Sequence, residues 1–323
     1  MTAVAELDVA GSVVAVTGGR GFLGRQVTQA LAARGADVRA LGHRDYDLTD
    51  QGEVRRLYRE IEPSVVVHAA AAVGGIGANV ANPGRFLYEN AVMGLMLLDE
   101  ARLAGVEKFV LISTTCAYPR DAPLPLREDD VWSGPPVGAT GPYGMAKRLL
   151  HEACATYAEQ YGFRSAVLML ANLYGPGDHV EEGTSHVIPA LIRRYVEARD
   201  REQPSVTNWG SGRATREFVH VQDAADGVAR AVAADVDPRP INIGTGVETS
   251  IREVAELVSD AVGYRGETHW DTTKPDGQPR RFLDVSRARE ALGFRASVEI
   301  KEGITDSVKW YESRHSAGGR GLA

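Results

Sequence analysis

The stretch Val13-Val14-Ala15-Val16-Thr17-Gly18-Gly19-Arg20-Gly21-Phe22-Leu23-Gly24 decides the fold. Its first four residues are apolar and mostly β-branched, the pattern of a strand buried on both faces of a parallel sheet. The run then enters a turn whose glycines Gly18, Gly21 and Gly24 are spaced G-x-x-G-x-x-G, with an amphipathic helix expected from about Phe22 to Arg34. Gly18 suits a tight turn, Gly21 lets backbone approach a pyrophosphate, and Gly24 lets helix and strand pack closely. A phosphate resting on that helix N-terminus, by Phe22 and Leu23, would meet free N–H groups and the positive end of the dipole. An ordinary strand-to-helix turn is the plainer reading of such glycines alone. The strand before them and the helix after them favour a dinucleotide.

Working outward, a second strand is expected at Asp37 to Leu41, running into Gly42-His43-Arg44. An NAD site usually places a carboxylate there for the ribose hydroxyls, whereas an arginine suits a 2′-phosphate. Arg20 would form the other jaw of that clamp, through its planar fork, unless both arginines are simply solvated. NADP is therefore the expected cofactor. The segment Asp45 to Asp50, with Asp47 and Leu48, caps a helix through about Ile61, and a third strand spans Ser64 to Val67. It enters His68-Ala69-Ala70-Ala71-Ala72-Val73-Gly74-Gly75, small residues suited to lie against a cofactor, with His68 read as a packed strand-end side chain. A long helix (Asn82 to Ala104) and a fourth strand (Lys108 to Ile112) follow. This alternation predicts a doubly wound parallel sheet of Rossmann type, with helices on both faces.

The chemistry clusters just beyond. Thr114 and Cys116 lie two residues apart after the fourth strand, and Tyr143 and Lys147 lie one helical turn apart on one face. A surface i,i+4 pair is the plain reading of Tyr-x-x-x-Lys by itself; its position after a cofactor turn and a hydroxyl-bearing strand end argues for more. An ammonium stabilises a neighbouring phenolate, so Tyr143 can exchange a proton with a carbonyl oxygen while Thr114 hydrogen-bonds it. Next to a ketone, C–H protons are acidic, and a base and an acid on opposite faces invert the carbon. Cys116 as base and His186 as acid would suit, against the bland alternatives of a structural thiol and a helix-cap histidine. Cys154, in the expected helix to Tyr161, reads as core.

Further on come a strand at Ala166 to Leu170 and a long polar loop, Asn172 to Ser185. A helix then carries Arg193 and Arg194, followed by the segments around Trp209 and Arg216 and shorter elements in the C-terminal third. The expected organisation is a cofactor domain over 12–171, with later contributions from about 205–245. A smaller α/β substrate-binding domain mainly over 172–312 and a flexible tail at 313–323 complete it. The 323 residues suffice for a large core, and the net charge of −7 with no basic block argues against nucleic-acid or acidic-membrane partners. No run is long enough to span a bilayer, the start lacks signal-peptide regions, and two cysteines suggest no disulfide framework; a cytoplasmic protein is expected. No metal site is expected.

The order of motifs resembles the extended short-chain dehydrogenase/reductase family. Within it the chain is similar to the 3,5-epimerase-4-reductases that turn GDP-4-keto-6-deoxy-mannose into GDP-L-fucose. The residues carrying the likeness are Ala69-Ala70-Ala71, Val73-Gly74-Gly75-Ile76, Cys116 with Tyr118-Pro119, and Asn172-Leu173-Tyr174-Gly175-Pro176. Ser185 to Leu191, Trp209-Gly210-Ser211-Gly212, Arg216-Glu217-Phe218 and Thr273 to Gly277 complete it.

The resemblance implies Cys116 and His186 as the epimerisation pair at C3 and C5, and Thr114, Tyr143 and Lys147 as the reductase triad at C4. It implies cofactor contacts from Gly18, Arg20, Gly21, Phe22, Leu23, Gly24, Arg44, Asp47, Leu48, Ala69, Ala70, Ala71, Asn172 and Leu173. Asn172, Arg194, Trp209, Arg216 and Lys274 would surround the nucleotide-sugar, the cations matching its pyrophosphate. A homodimer through the long helices at about 82–104 and 142–161 is also implied. The chain departs from the family at Thr114 (serine), at Thr140-Gly141-Pro142 (Asn-Glu-Pro), at Ala72 (lysine), and near Leu95 or Met96, where a helix asparagine is expected. The alternatives are a relative with one activity or another sugar and, more remotely, a non-enzymatic NADP-sensing regulator.

Overall fold

The computed structural model describes residues 7–181, 185–274 and 276–318. Strand β1 (Val13–Thr17) leads through α1 (Phe22–Ala32), β2 (Asp37–Leu41), α2 (Gln51–Ile61), β3 (Val65–His68) and the short α3 (Ile76–Ala81) to α4 (Pro83–Leu103). Then come β4 (Lys108–Thr114), α5 (Gly141–Tyr161), β5 (Arg164–Leu170), β6 (Asn172–Tyr174), α6 (Val187–Asp200), β7 (Ser205–Trp209) and β8 (Thr215–His220). The chain continues as α7 (Val221–Ala233), β9 (Pro240–Ile243), β10 (Glu248–Ser250), α8 (Ile251–Val262), β11 (Glu267–Asp271), α9 (Ser286–Leu292) and α10 (Ile300–Gly318).

The main sheet has the order β2-β1-β3-β4-β5-β9, every pair parallel. Its apolar strands follow from burial on both faces. Val14, Val16, Val65, Val67, Val110 and Ile112 pack on one side with Val27 and Leu31 of α1 and Val228 of α7. The alternate residues Ala15, Val66, Phe109 and Leu111 pack on the other with Leu57 of α2, Leu97 of α4 and Leu150 of α5. From β1 the chain crosses to β2 on one side and later to β3 on the other. A crevice therefore opens beyond the carboxyl ends of β1 and β3, where ligands of such sheets bind.

A separate core joins Ile188, Leu191 and Tyr195 of α6 to Val254 and Val258 of α8 and to Ile304 and Val308 of α10. Two small sheets, β10-β8-β6 and β11-β7, flank it. Strand β6 begins just after β5 ends, so the expected loop from Asn172 starts only after Tyr174. Strands β10 and β11 are short and polar and carried no readable alternation. Of the tail expected from residue 313, the part up to Gly318 is helical. Helix α10 runs to Gly318, with Tyr311 stacked on His315 and His315 4.0 Å from Asp200; residues 319–323 lie outside the described residues. At the other end of the sheet, buried Lys108 donates to the carbonyls of Ala231 (2.6 Å), Val232 (3.3 Å) and Ala234, closing the C-terminus of α7.

Candidate active site

The glycine turn fits a dinucleotide. Gly18 has φ +67°, and a Cβ there would lie 2.8 Å from the Ala70 nitrogen, so only glycine lets the turn close on the Ala69-Ala70 backbone beyond β3. No side chain caps α1, which begins after Gly21, so its first-turn N–H groups, those of Phe22, Leu23 and Gly24, face the crevice mouth. Arg20 is held to Asp45, with nitrogen and oxygen 3.0 Å apart, and Asp45 accepts the Gly42 N–H at 2.7 Å. That fixes Arg20 beyond the end of β2; Arg44, in the same turn as Asp45, is exposed. Asp47 closes a turn on Thr49, whose hydrogen bonds hold its carboxyl below the usual range. Leu48 is buried in the core, which leaves its backbone for any ligand contact. Asn172 donates to the Glu217 carbonyl at 2.8 Å, and Leu173 packs on the core.

His68 is the packed strand-end residue expected: its Nδ1 lies 2.9 Å from the Thr17 hydroxyl, and burial, then the Lys147 charge, pull its pKa well down. The loop beyond it is pinned by Asn90 of α4, which accepts the Ala72 N–H at 3.0 Å and donates to the Ala72 carbonyl at 2.8 Å. At the positions near which a helix asparagine is expected, Leu95 is exposed on the outer face and Met96 packs against the core.

Strand β4 ends at Thr114, and a single 3-10 turn, Thr115–Ala117, carries Cys116. Each group of that turn is fixed. The Thr114 hydroxyl accepts the Cys116 N–H at 3.2 Å. Arg281 donates to the Thr115 carbonyl, and Arg148 donates to the Ala117 carbonyl at 2.6 Å. A Cβ on Gly144 would meet the Cys116 carbonyl oxygen at 2.2 Å, so the glycine of Tyr143-Gly144 lets α5 press on the turn. Cys116 itself is partly exposed, whereas Cys154 is buried core with its thiol pushed up to about 12 by burial.

On α5, the Lys147 ammonium donates to the Ile112 carbonyl at 2.9 Å and lies 5.9 Å from the Tyr143 ring centre. Burial pulls Lys147 down to about 8 and pushes the Tyr143 hydroxyl up, the Cys116 thiol adding to the latter. One turn on, His151 Nε2 lies 2.6 Å from the Ser113 hydroxyl, a buried pair that the sequence reading passed over.

His186 precedes α6 and is exposed, its Nδ1 3.8 Å from the buried Asp178 carboxylate. That neighbouring carboxylate raises the His186 pKa. Arg194 donates to Asn208 at 2.6 Å beside Trp209, which is 70% exposed. Lys274 lies 5.9 Å over the Trp209 ring, and Arg216 of β8 donates to the Thr215 carbonyl at 2.7 Å. Thr114, Cys116, Tyr143 and Lys147 thus form one cluster at the β4 end. Arg194, Trp209 and Lys274 gather at the β7 end, and His186 stands at the start of α6. Asp178, Asn90, Arg148 and Arg281 were not singled out by the sequence.

The chain belongs to the NAD dependent epimerase/dehydratase family, whose pattern matches residues 14–244. A probable GDP-L-fucose synthase of Oryza sativa subsp. japonica is 39% identical over 303 residues, 93% of this chain and 92% of its own. The GDP-L-fucose synthase of Escherichia coli K12 is 36% identical, over 92% of this chain and 96% of its own. Among solved structures, a GDP-D-glycero-L-gluco-heptose synthase of Campylobacter jejuni in the presence of NADPH superposes with a TM-score of 0.84. It is 28% identical and is matched over 94% of this chain and 98% of its own.

Proposed function

We propose that this chain is an NADPH-dependent 3,5-epimerase and 4-reductase that converts GDP-4-keto-6-deoxy-mannose to GDP-L-fucose. The observation that carries it is the turn that sets the Cys116 thiol two residues from the Thr114 hydroxyl, opposite Tyr143 and Lys147. GDP-L-fucose synthases matched over nine-tenths of the chain support the substrate, and Arg20 with Arg44 supports NADPH over NADH.

In this reading Arg194, Arg216 and Lys274 meet the pyrophosphate and Trp209 offers its exposed face to the nucleotide-sugar. The Thr114 and Tyr143 hydroxyls hydrogen-bond the C4 oxygen, so that negative charge arising there is stabilised. The Cys116 thiolate removes the proton from C3, and later from C5. The His186 imidazolium, held charged by Asp178, returns a proton to the other face, inverting each carbon. NADPH when bound supplies the hydride for C4. Tyr143 then gives its proton to the C4 oxygen, with the Lys147 charge easing that loss.

The test is incubation with GDP-4-keto-6-deoxy-mannose and NADPH in deuterated water. NADPH oxidation with deuterium at C3 and C5 is expected; absence of both sinks the reading. Oxidation without deuterium would favour a 4-reductase alone. The chain further works as a cytoplasmic homodimer through α4 and α5, whose outer faces expose Leu87, Tyr88, Leu103, Met145, Leu149 and Tyr161. A monomer in sedimentation at micromolar concentration would remove the dimer.

A further inference from the structure

We propose that Arg281 is the positioning cation of the epimerisation base, a guanidinium locked against the turn of Cys116 to supply the positive charge that its thiolate faces. This rests on the reading of Cys116 as that base.

The geometry is specific. Arg281 donates to the carbonyl of Thr115, the residue before Cys116, and to Gln278 Oε1 at 2.7 Å. Its own segment is tied down on both sides. The Glu217 N–H donates to the Arg281 carbonyl at 3.1 Å, the Leu283 N–H to the Glu217 carboxylate at 2.6 Å, and the Leu126 N–H to the Phe282 carbonyl at 2.9 Å. Within the described residues the bonds of this half-buried guanidinium go to a carbonyl and an amide oxygen, and no carboxylate neutralises it.

Burying a cation without a counter-ion is costly, and the Arg281 pKa is lowered by desolvation accordingly. The groups whose charge offsets this are the Cys116 thiol and the Tyr118 hydroxyl, while Arg216 of β8 adds repulsion. From α5, Tyr143 faces the thiol and Arg148 holds the far carbonyl of its turn, with Lys147 behind. A thiolate would complete this arrangement, and a cation-rich, partly exposed setting is the kind that makes cysteine reactive.

The competing role is a phosphate contact shared with Arg216, and the test separates the two. Full-length protein without nucleotide is alkylated with iodoacetamide from pH 5 to pH 9, and modification at Cys116 is followed by mass spectrometry. Buried Cys154 serves as the silent reference. R281Q should slow alkylation of Cys116 near pH 7 by about tenfold and by less at pH 9. R281K should restore most of the rate, and R281L replaces R281Q if that variant folds poorly. Deuterium exchange at C3 and C5 should fall over the same pH range, while reduction of the already epimerised 4-keto sugar keeps its pH profile.

An unchanged alkylation profile in the uncharged variant overturns the proposal, and weaker GDP binding beside it would assign Arg281 to the phosphates. Exchange that survives C116S would instead remove the reading of Cys116 as base. The alkylation result would then still decide whether Arg281 and the thiolate are paired.

Discussion

Replacing His151 with glutamine tests how Lys147 is seated. His151 is 2% exposed, and burial first, then the Lys147 and Arg148 charges, pull its pKa down to about 3. In the unfolded chain it returns to about 6.5. Between those values the unfolded chain binds a proton that the folded one refuses. The contribution to stability is therefore complete above about pH 6.5 and is lost as pH falls towards 3. At pH 5 the loss is roughly 1.5 pH units at about 1.4 kcal/mol each, ~2 kcal/mol. By pH 3 it approaches ~5 kcal/mol, comparable with the lower end of the stability of a whole domain. Glutamine can keep a bond to Ser113 but cannot titrate. Urea midpoints at pH 7.5, 6 and 5 should show the variant losing about 2 kcal/mol less than the wild type across that range. His68, lowered for the same reasons, adds an acid slope common to both proteins. Parallel curves for the two proteins would refute a buried neutral imidazole behind Lys147.

Four further outcomes are expected. Tyr143→Phe should cut NADPH oxidation by about 10²–10⁴-fold, since it removes the proton donor, while deuterium exchange at C3 and C5 falls less; equal losses would deny Tyr143 that role. Asp178→Asn removes the group that raises His186. His186 then loses its proton at lower pH, so the basic limb of the epimerisation profile moves down, and a fixed limb would clear Asp178. Thr114→Val, which keeps the shape but loses the hydroxyl, should depress both activities, and Thr114→Ser should keep both. Arg20→Ala should raise KM for NADPH and leave KM for NADH within about twofold, the discrimination being a 2′-phosphate contact; a parallel rise in both would remove that contact.

What was legible in the chain follows from how far each signal reaches. The glycine turn is one short peptide whose strand and helix are its neighbours in sequence, so local pattern sufficed. Tyr143 and Lys147 share a helix face by their spacing alone. Lys108 shows the limit, because its partners are carbonyls more than a hundred residues away, which no composition encodes. Asn90 was not singled out, because helix phase does not say which turn meets the Ala72 loop. Asp178 stands in the loop read as functional, but its composition does not say which of its acids the fold buries beside His186. Arg281 carries no signal in the sequence beside Arg280, and only the stitching to Glu217 turns it inward while Arg280 pairs outward with Glu248.

On the proposed roles, the same hydroxyl couples the two chemistries. The Thr114 oxygen accepts the Cys116 N–H, so its own proton is left to donate to the C4 oxygen of the sugar. The thiol that strips C3 and C5 is thereby placed relative to the group that polarises C4. The turn has little freedom to drift, since Arg281, Gly144 and Arg148 meet its three successive carbonyls. A change that shifts the turn must therefore disturb epimerisation and reduction together. Changes that leave the turn in place can separate them, whether at the thiol of Cys116, at the phenol of Tyr143 or at a charge that acts on only one step, such as Arg281 or Asp178. The extra methyl of Thr114 acts at that shared point, so it would narrow the choice of sugar for both steps rather than remove one.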